Sequence, residues 1–268
     1  MNENHLEQAC LGWLESLEFT SLKGEVVSPG GTEGGREKYS EVVLQNRLRD
    51  AIERLNPGIS SAEADAAVSR LALYSAQSMV DGNREVYSWL RDGVPVERIE
   101  SDGTRTFPRV QVIDFAGPND LLAVQQFTVH GQQVRRPDVV LFVNGLPLVV
   151  IELKNPADPN ADILSAFNQI QTYKTDIPQL FYFNLLNIIS DGVVARYGSL
   201  TADFNRFSRW RLLDDEVAPK SLLELEVMVR GLLNAETLMT FFRGFVAYGG
   251  TDGGTSFKII AQWHGNPP

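Results

Sequence analysis

Asp138, Glu152 and Lys154 are the residues whose types and spacing could do chemistry. They lie in PDVVLFVNGLPLVVIELK, residues 137–154, and a helical stretch beyond them carries Gln169 and Tyr173. Two carboxylates and a lysine on neighbouring strands can hold a divalent cation beside a phosphodiester. Hydrolysis of that bond needs charge neutralised on the phosphate, an activated water and a stabilised leaving oxygen. Mg²⁺ can serve all three needs. It takes oxygen ligands, keeps several waters and is commonly held by one or two carboxylates. Asp138 and Glu152 suit it, and the backbone carbonyl of Leu153 is a third candidate ligand. Lys154 would bring a cation near the attacking water or the scissile phosphate. The leading expectation is a Mg²⁺-dependent nuclease that works through a metal-activated water.

A Glu-x-Lys tripeptide alone carries little weight, because the two residues alternate on many solvated strands. Here it ends a strongly apolar strand, LPLVVIELK. Two charges there are costly unless paired or bound to an ion. A salt-bridged strand end is the alternative.

The elements around these residues must place them on one face. Residues i and i+2 of a strand share a face, so Glu152 and Lys154 point together and Leu153 points into the core. On the following helix Gln169 and Tyr173 are four apart and share a face, from which they could bind a phosphate or hold the lysine. Ile170 lies off that face and should pack inward. Asp138 is harder to place. A two-residue Asn144-Gly145 turn gives paired numbers that sum to 289 and sets the carboxylates on opposite faces. A one-residue change of register reverses this. We therefore predict an odd-length turn or a bulge. The specific expectation is a three-residue Val143-Asn144-Gly145 loop that pairs Asp138 with Val150.

Helices are predicted over 5–17, 40–55, 61–73, 161–175 and 235–248 from apolar spacings of three and four. Ser61 is the expected N-cap of the third, and Asn160 is favoured over Asp158 and Asp162 to cap the fourth. β-branched runs predict strands over 110–115, 121–130, 138–143 and 146–154, with two more in FYFNLLNIISDG and VVARYGSL. Residues 28–35, SPGGTEGG, lack a GK[ST] ending and read as a flexible turn. The order predicts an α/β fold, a mixed central sheet flanked by helices behind an N-terminal helical segment.

The composition, 43% hydrophobic and 22% charged, is that of an ordinary soluble globular chain. No apolar run approaches the ~20 residues of a membrane span. The acidic start, MNENHLEQACLGWLE, does not resemble a secretory signal. Cys10 is the only cysteine, which excludes an internal disulfide and fits a cytoplasmic location. A net charge of −10 argues against a simple nucleic-acid-binding protein, although net charge does not describe a local surface. Arg196, Arg206, Arg209 and Arg211, interleaved with Phe207 and Trp210, come nearest to a basic cluster. They read either as a solvated face with core aromatics or as a phosphate contact surface.

At the PD, Glu-x-Lys and QxxxY positions the sequence resembles the PD-(D/E)xK nuclease superfamily. More narrowly it is similar to the N-terminal nuclease domain of the type I restriction enzyme R (HsdR) subunit. That narrower likeness rests on LEQACLGWLESLEF, SEVVLQNRLRDAIERLNP, RPDVVLFVNGLPLVVIELKNP, QIQTY and, near the end, LLNAETLMTFFRGFVAY with FKIIAQWH. The resemblance implies a restriction-endonuclease-like fold and Mg²⁺-dependent cleavage of double-stranded DNA. It also implies a complex with methyltransferase (M) and specificity (S) subunits. Asp138, Glu152 and Lys154 match the catalytic motif, and Gln169 and Tyr173 match the supporting one. In such nucleases an acidic residue of the first helix can also approach the metal; Glu7 is the candidate, with a solvent-facing glutamate or a helix-end charge as the alternative. Residues 1–232 would form the nuclease domain, and 233–268 a helical linker towards an ATP-dependent translocase. ATP belongs to the full-length family protein, since no Walker A or helicase motif occurs in these residues. A repair or recombination nuclease of the same superfamily, or a silent docking module for DNA or partner subunits, are the competing readings.

His5, His130 and His264 are too far apart in sequence to suggest a metal set. Cys10 reads as packing, Asp114 as a reserve ligand only, and Asp191-Gly192 as a hairpin turn.

Overall fold

The computed structural model describes residues 3–155, 162–213, 216–250 and 256–260. The first helix, α1 (Glu3–Glu15), leads into β1 (Thr20–Lys23). Helices α2 (Gln45–Leu55), α3 (Ser61–Ala72) and α4 (Met79–Asp92) follow. Then come β2 (Leu121–Gln125), β3 (Val139–Val143), β4 (Leu146–Leu153), α5 (Ile163–Asp176), β5 (Leu186–Ser190) and β6 (Ala195–Gly198). These six strands form one mixed sheet in sequential order, with β1–β2 and β4–β5 parallel and the other pairs antiparallel. Parallel neighbours need a crossover: the α2–α4 segment supplies one and α5 the other. Every residue of β2, β3, β4 and β5 is buried, as expected of strands covered on both faces. Helices α6 (Glu224–Leu232) and α7 (Ala235–Gly244) and the hairpin β7 (Val246–Gly250)–β8 (Ser256–Ile260) complete the described chain. The mixed sheet with flanking helices is the architecture that the sequence predicts.

The hairpin that carries the motif departs from the predicted loop. Val143 pairs with Leu146 and Phe142 with Pro147, so the turn has two residues, Asn144 and Gly145. Both have positive φ, 51° and 78°, as a tight hairpin turn of the mirror-image type requires. The ladder then shifts: Val149 pairs with Leu141 and Ile151 with Val139. The extra residue is Leu148. Pro147 cannot donate to the ladder, which favours a bulge there. One step beyond Val139 and Ile151, Asp138 stands opposite Glu152, not Val150. The predicted bulge is present, but within β4 and not in the turn.

The turn is buried against the start of α2. Leu44 N–H donates to the Gly145 carbonyl at 2.9 Å, and a Cβ on Gly145 would sit 2.5 Å from the Leu44 carbonyl oxygen. The Asn144 side chain donates to Val112 O and Asn119 Oδ1 and accepts from the Asp120 amide. This docking explains why α2 starts at Gln45 and not at Ser40.

Other boundaries also move. Ser60, not Ser61, caps α3, in a reciprocal box with Glu63. Asp162 caps α5 by accepting from Ser165 N–H at 2.8 Å; Asn160 and Asp158 lie outside the described residues. Within VQVIDF only Val110 is in a strand, paired with Val94. Residues 121–130 form two strands because Gln126 takes φ 57° between them. In FYFNLLNIISDG, Phe181 ends a single helical turn and only 186–190 is strand. The last predicted helix stops at Gly244, and residues 246–250 are β7. Helices α4 and α6 have no counterpart in the spacing argument.

Candidate active site

The end of β4, the residue before β3 and one face of α5 meet at a buried polar cluster. Asp138 is 6% exposed and Glu152 is 2% exposed. The Lys154 ammonium lies 2.6 Å from Glu152 Oε1, and the Tyr173 hydroxyl donates to Glu152 Oε2 at 3.0 Å. Glu152 is thus fixed from two sides. Gln169 lies beside the Tyr173 hydroxyl on the same face of α5. Tyr173 braces the carboxylate. Ile170 is fully buried, as predicted.

Asp138 is held by backbone and side chain. Its Oδ2 accepts the Leu153 N–H at 2.8 Å, and its Oδ1 accepts from Gln126 Nε2 at 3.2 Å. The Leu153 N–H therefore faces Asp138, while the Lys154 N–H points the other way, to Ser190 O on β5. The N–H and C=O of one strand residue point to the same side, so the Leu153 carbonyl also faces the Asp138 side. Asp138 and Glu152 thus come close enough to interact, with the Leu153 carbonyl on the Asp138 side; these are oxygen donors of the kind that could hold Mg²⁺. Burial, reinforced by the neighbouring Glu152, pushes the Asp138 carboxyl up to about 8 against the pull of the Leu153 amide and Lys154. Burial and the same two carboxylates raise the Tyr173 hydroxyl, so it stays protonated and donates.

Glu7 is not solvent-facing. It is buried on α1 and accepts from Gln125 Nε2 at 2.7 Å and from Gln126 Nε2 at 3.1 Å. Gln126 links it to Asp138. Residue spacing does not single out Gln126; its sequence signal is the polar pair Gln125-Gln126 at the end of an apolar strand. Among the described residues no three His, Cys, Asp or Glu side chains form a metal-holding group. The cation expectation therefore rests on the two carboxylates and the carbonyl, with Glu7 one residue removed. Glu7 and Gln126 also line an open cleft of 690 Å³ with Lys23, Tyr39 and Arg136 on its walls.

Cys10, set aside as packing, lies within electrostatic reach of Glu7 and Asp138, whereas His130 and Asp114 have partners of their own. His130 stacks on Tyr39, Asp114 accepts from the Ala116 amide in a loop, and His264 lies outside the described residues. Cys10 is fully buried in α1, and burial pushes its thiol up to about 12. No helix among the described residues is long and apolar enough to cross a membrane.

A helix-flanked mixed sheet with Asp138 and the Glu152–Lys154 pair at adjoining strand ends has the restriction-endonuclease-like architecture. The chain belongs to the family described as type I restriction enzyme R protein N terminus, whose profile matches residues 1–206. It is 39% identical over 271 residues to the type I restriction enzyme HindI endonuclease subunit of Haemophilus influenzae, covering 98% of this chain and 26% of that protein. It is 29% identical over 294 residues to the putative MjaIXP endonuclease subunit of Methanocaldococcus jannaschii, covering 98% of this chain and 27% of that protein. A shorter match, 39% over 95 residues, is to the EcoprrI endonuclease subunit of Escherichia coli, with 33% of this chain and 29% of that protein covered. The chain thus spans about a quarter of the length of the first two relatives.

Proposed function

We propose that this chain is the nuclease portion of a type I restriction endonuclease subunit and that it hydrolyses phosphodiester bonds of double-stranded DNA with Mg²⁺. The observation that carries the reading is the bulge at Leu148, which sets Asp138 opposite Glu152 with Lys154 against the same carboxylate. Asp138, Glu152 and the Leu153 carbonyl would hold the ion, which when bound supplies charge neutralisation on the phosphate and a water acidified for attack. The chain's own groups do the positioning. Tyr173 and Lys154 fix the two oxygens of Glu152, and Gln126 with the Leu153 amide fixes those of Asp138. Lys154 also puts a positive charge where a scissile phosphate would lie. In this reading M and S subunits are the partners, the cytoplasm is the location, and ATP hydrolysis belongs to the longer family protein, towards which residues 233–268 lead.

Plasmid nicking with Mg²⁺, by the chain and by its complex with M and S subunits, tests the assignment. Asp138→Ala and Lys154→Ala should each lower the rate by about 100-fold or more, as loss of charge stabilisation at a reacting centre does. Cleavage that survives both substitutions would remove the site assignment.

A further inference from the structure

A cleft of 530 Å³ opens at the far edge of the sheet, beside β6. The described residues lining it include Arg196, Arg209 and Arg211 with Asn205 and Ser208, and no carboxylate. That is unusual in a chain of net charge −10; the cleft near Glu7 also has Glu25 on its wall. Of the aromatic residues interleaved with these arginines in sequence, Trp210 is buried in the core, and Phe207, largely buried as well, lines the cleft with Tyr197. Two arginines are held in place. Arg196 lies 5.1 Å from the centre of the Phe204 ring. Arg209 is 3.4 Å from Glu224, whose other oxygen accepts the Ala195 amide at the start of β6.

The register relates this cleft to the carboxylates. Glu152 pairs with Ile189 on β5, and Ile189 pairs with Arg196 on β6. Paired residues share a face, so Arg196 stands on the Glu152 face, level with it and two strands away. At about 4.8 Å per strand that is roughly 10 Å, the length of about three base-pair steps of ~3.4 Å along a DNA axis. Helix α5 occupies the space between. Tyr173 reaches Glu152 from one part of it, and Phe167 packs on Phe204 and Phe207 from another. From Ile163 to Thr175 it has no Asp or Glu; its polar residues there are amides and hydroxyls, Asn168, Gln171 and Thr172 among them, and one lysine, Lys174. A polyanion crossing this helix would meet amides and hydroxyls instead of like charge.

We propose that the Arg196–Arg209–Arg211 cleft is a second phosphate-binding site for the DNA backbone, set beside the catalytic carboxylates across the width of α5. The choice of DNA as ligand rests on the nuclease reading; the basic cleft itself does not. Arginine contacts of this kind position a duplex without reading its sequence.

The test is binding of a short mixed-sequence DNA duplex in EDTA, measured across a salt series. The wild-type chain is compared with the triple variants Arg196→Gln/Arg209→Gln/Arg211→Gln and Arg196→Lys/Arg209→Lys/Arg211→Lys. The Gln triple should bind about tenfold or more weakly at low salt. Its slope of log affinity against log salt should be shallower by about 2 to 3, one unit per lost phosphate contact. The Lys triple should recover most of the slope. Equal affinity and slope in the Gln triple, or no DNA binding by the wild type, would overturn the proposal. So would a Lys triple as weak as the Gln triple, because lysine restores the charge that a phosphate contact needs. Arginine-dependent binding with nicking that ignores Asp138→Ala and Lys154→Ala would keep the cleft and remove the nuclease site.

Discussion

Asp138 shows what burial does to a single functional group. Its carboxyl is raised to about 8 by desolvation and by Glu152 beside it, against about 3.9 in an unfolded chain. Between those values the folded chain keeps a proton that the unfolded chain has lost. Stability must then fall as pH rises through that window, by up to ~1.4 kcal/mol per pH unit where the difference is complete. Urea titrations in EDTA from pH 5 to 8 should show the fall, and Asp138→Asn should flatten it. An equally steep profile in the Asn variant would assign the proton elsewhere. Tyr173 gives a second prediction. Tyr173→Phe leaves Glu152 Oε2 without its 3.0 Å hydrogen bond and should cost about 1–3 kcal/mol of stability, together with a reduced nicking rate. An unchanged urea midpoint would mean that Tyr173 does not brace Glu152.

Among the elements, the β3–β4 hairpin decides whether there is a site at all. Its two-residue turn alone would put the carboxylates on opposite faces, and the bulge at Leu148 turns them to the same face. Inserting one alanine after Val149, beyond the bulge, should slide Glu152 one residue past Asp138, turn the carboxylates to opposite faces and abolish Mg²⁺-dependent nicking. An insertion variant that folds and cuts at the wild-type rate would show that this register does not make the site. Pro147 was a legible signal for the irregularity, because a residue without an N–H cannot donate to a central ladder and marks a bulge. The turn's length was not legible, because its backbone is chosen by docking on Leu44 and by the Asn144 network. The helix start at Gln45 and the caps at Ser60 and Asp162 shifted for similar local reasons, each a side chain or carbonyl finding a partner that spacing does not reveal.

Across the whole molecule one hydrophobic core joins the sheet to the C-terminal helices. Leu238, Phe241 and Phe242 of α7 lie in the same buried cluster as β4 and β5. Tyr87 of α4 donates to the Phe242 carbonyl at 2.9 Å, and Tyr248 donates to Asn83 Oδ1 at 2.6 Å. Each fully buried large apolar side chain contributes about 1.5–3 kcal/mol. Ending the chain after Leu232 should therefore cost several kcal/mol and expose apolar surface, seen as dye binding and a broadened thermal transition. A truncated chain with the wild-type melt would show that α7 packs without supporting the fold.

The residue types at 138, 152 and 154, the apolar strands that carry them and the helix bearing Gln169 and Tyr173 were determined by sequence alone. Chemistry and the two-residue period of a strand are local properties. Only the tertiary structure decided how those residues meet. Register across β3 and β4 depends on one extra residue. Glu7 reaches Asp138 through Gln126, 119 residues along the chain from it. Arg196 comes level with Glu152 through the pairings of β5. Such relations are long-range hydrogen bonds and strand pairings, fixed by the sheet as a whole and carried by no short stretch of sequence.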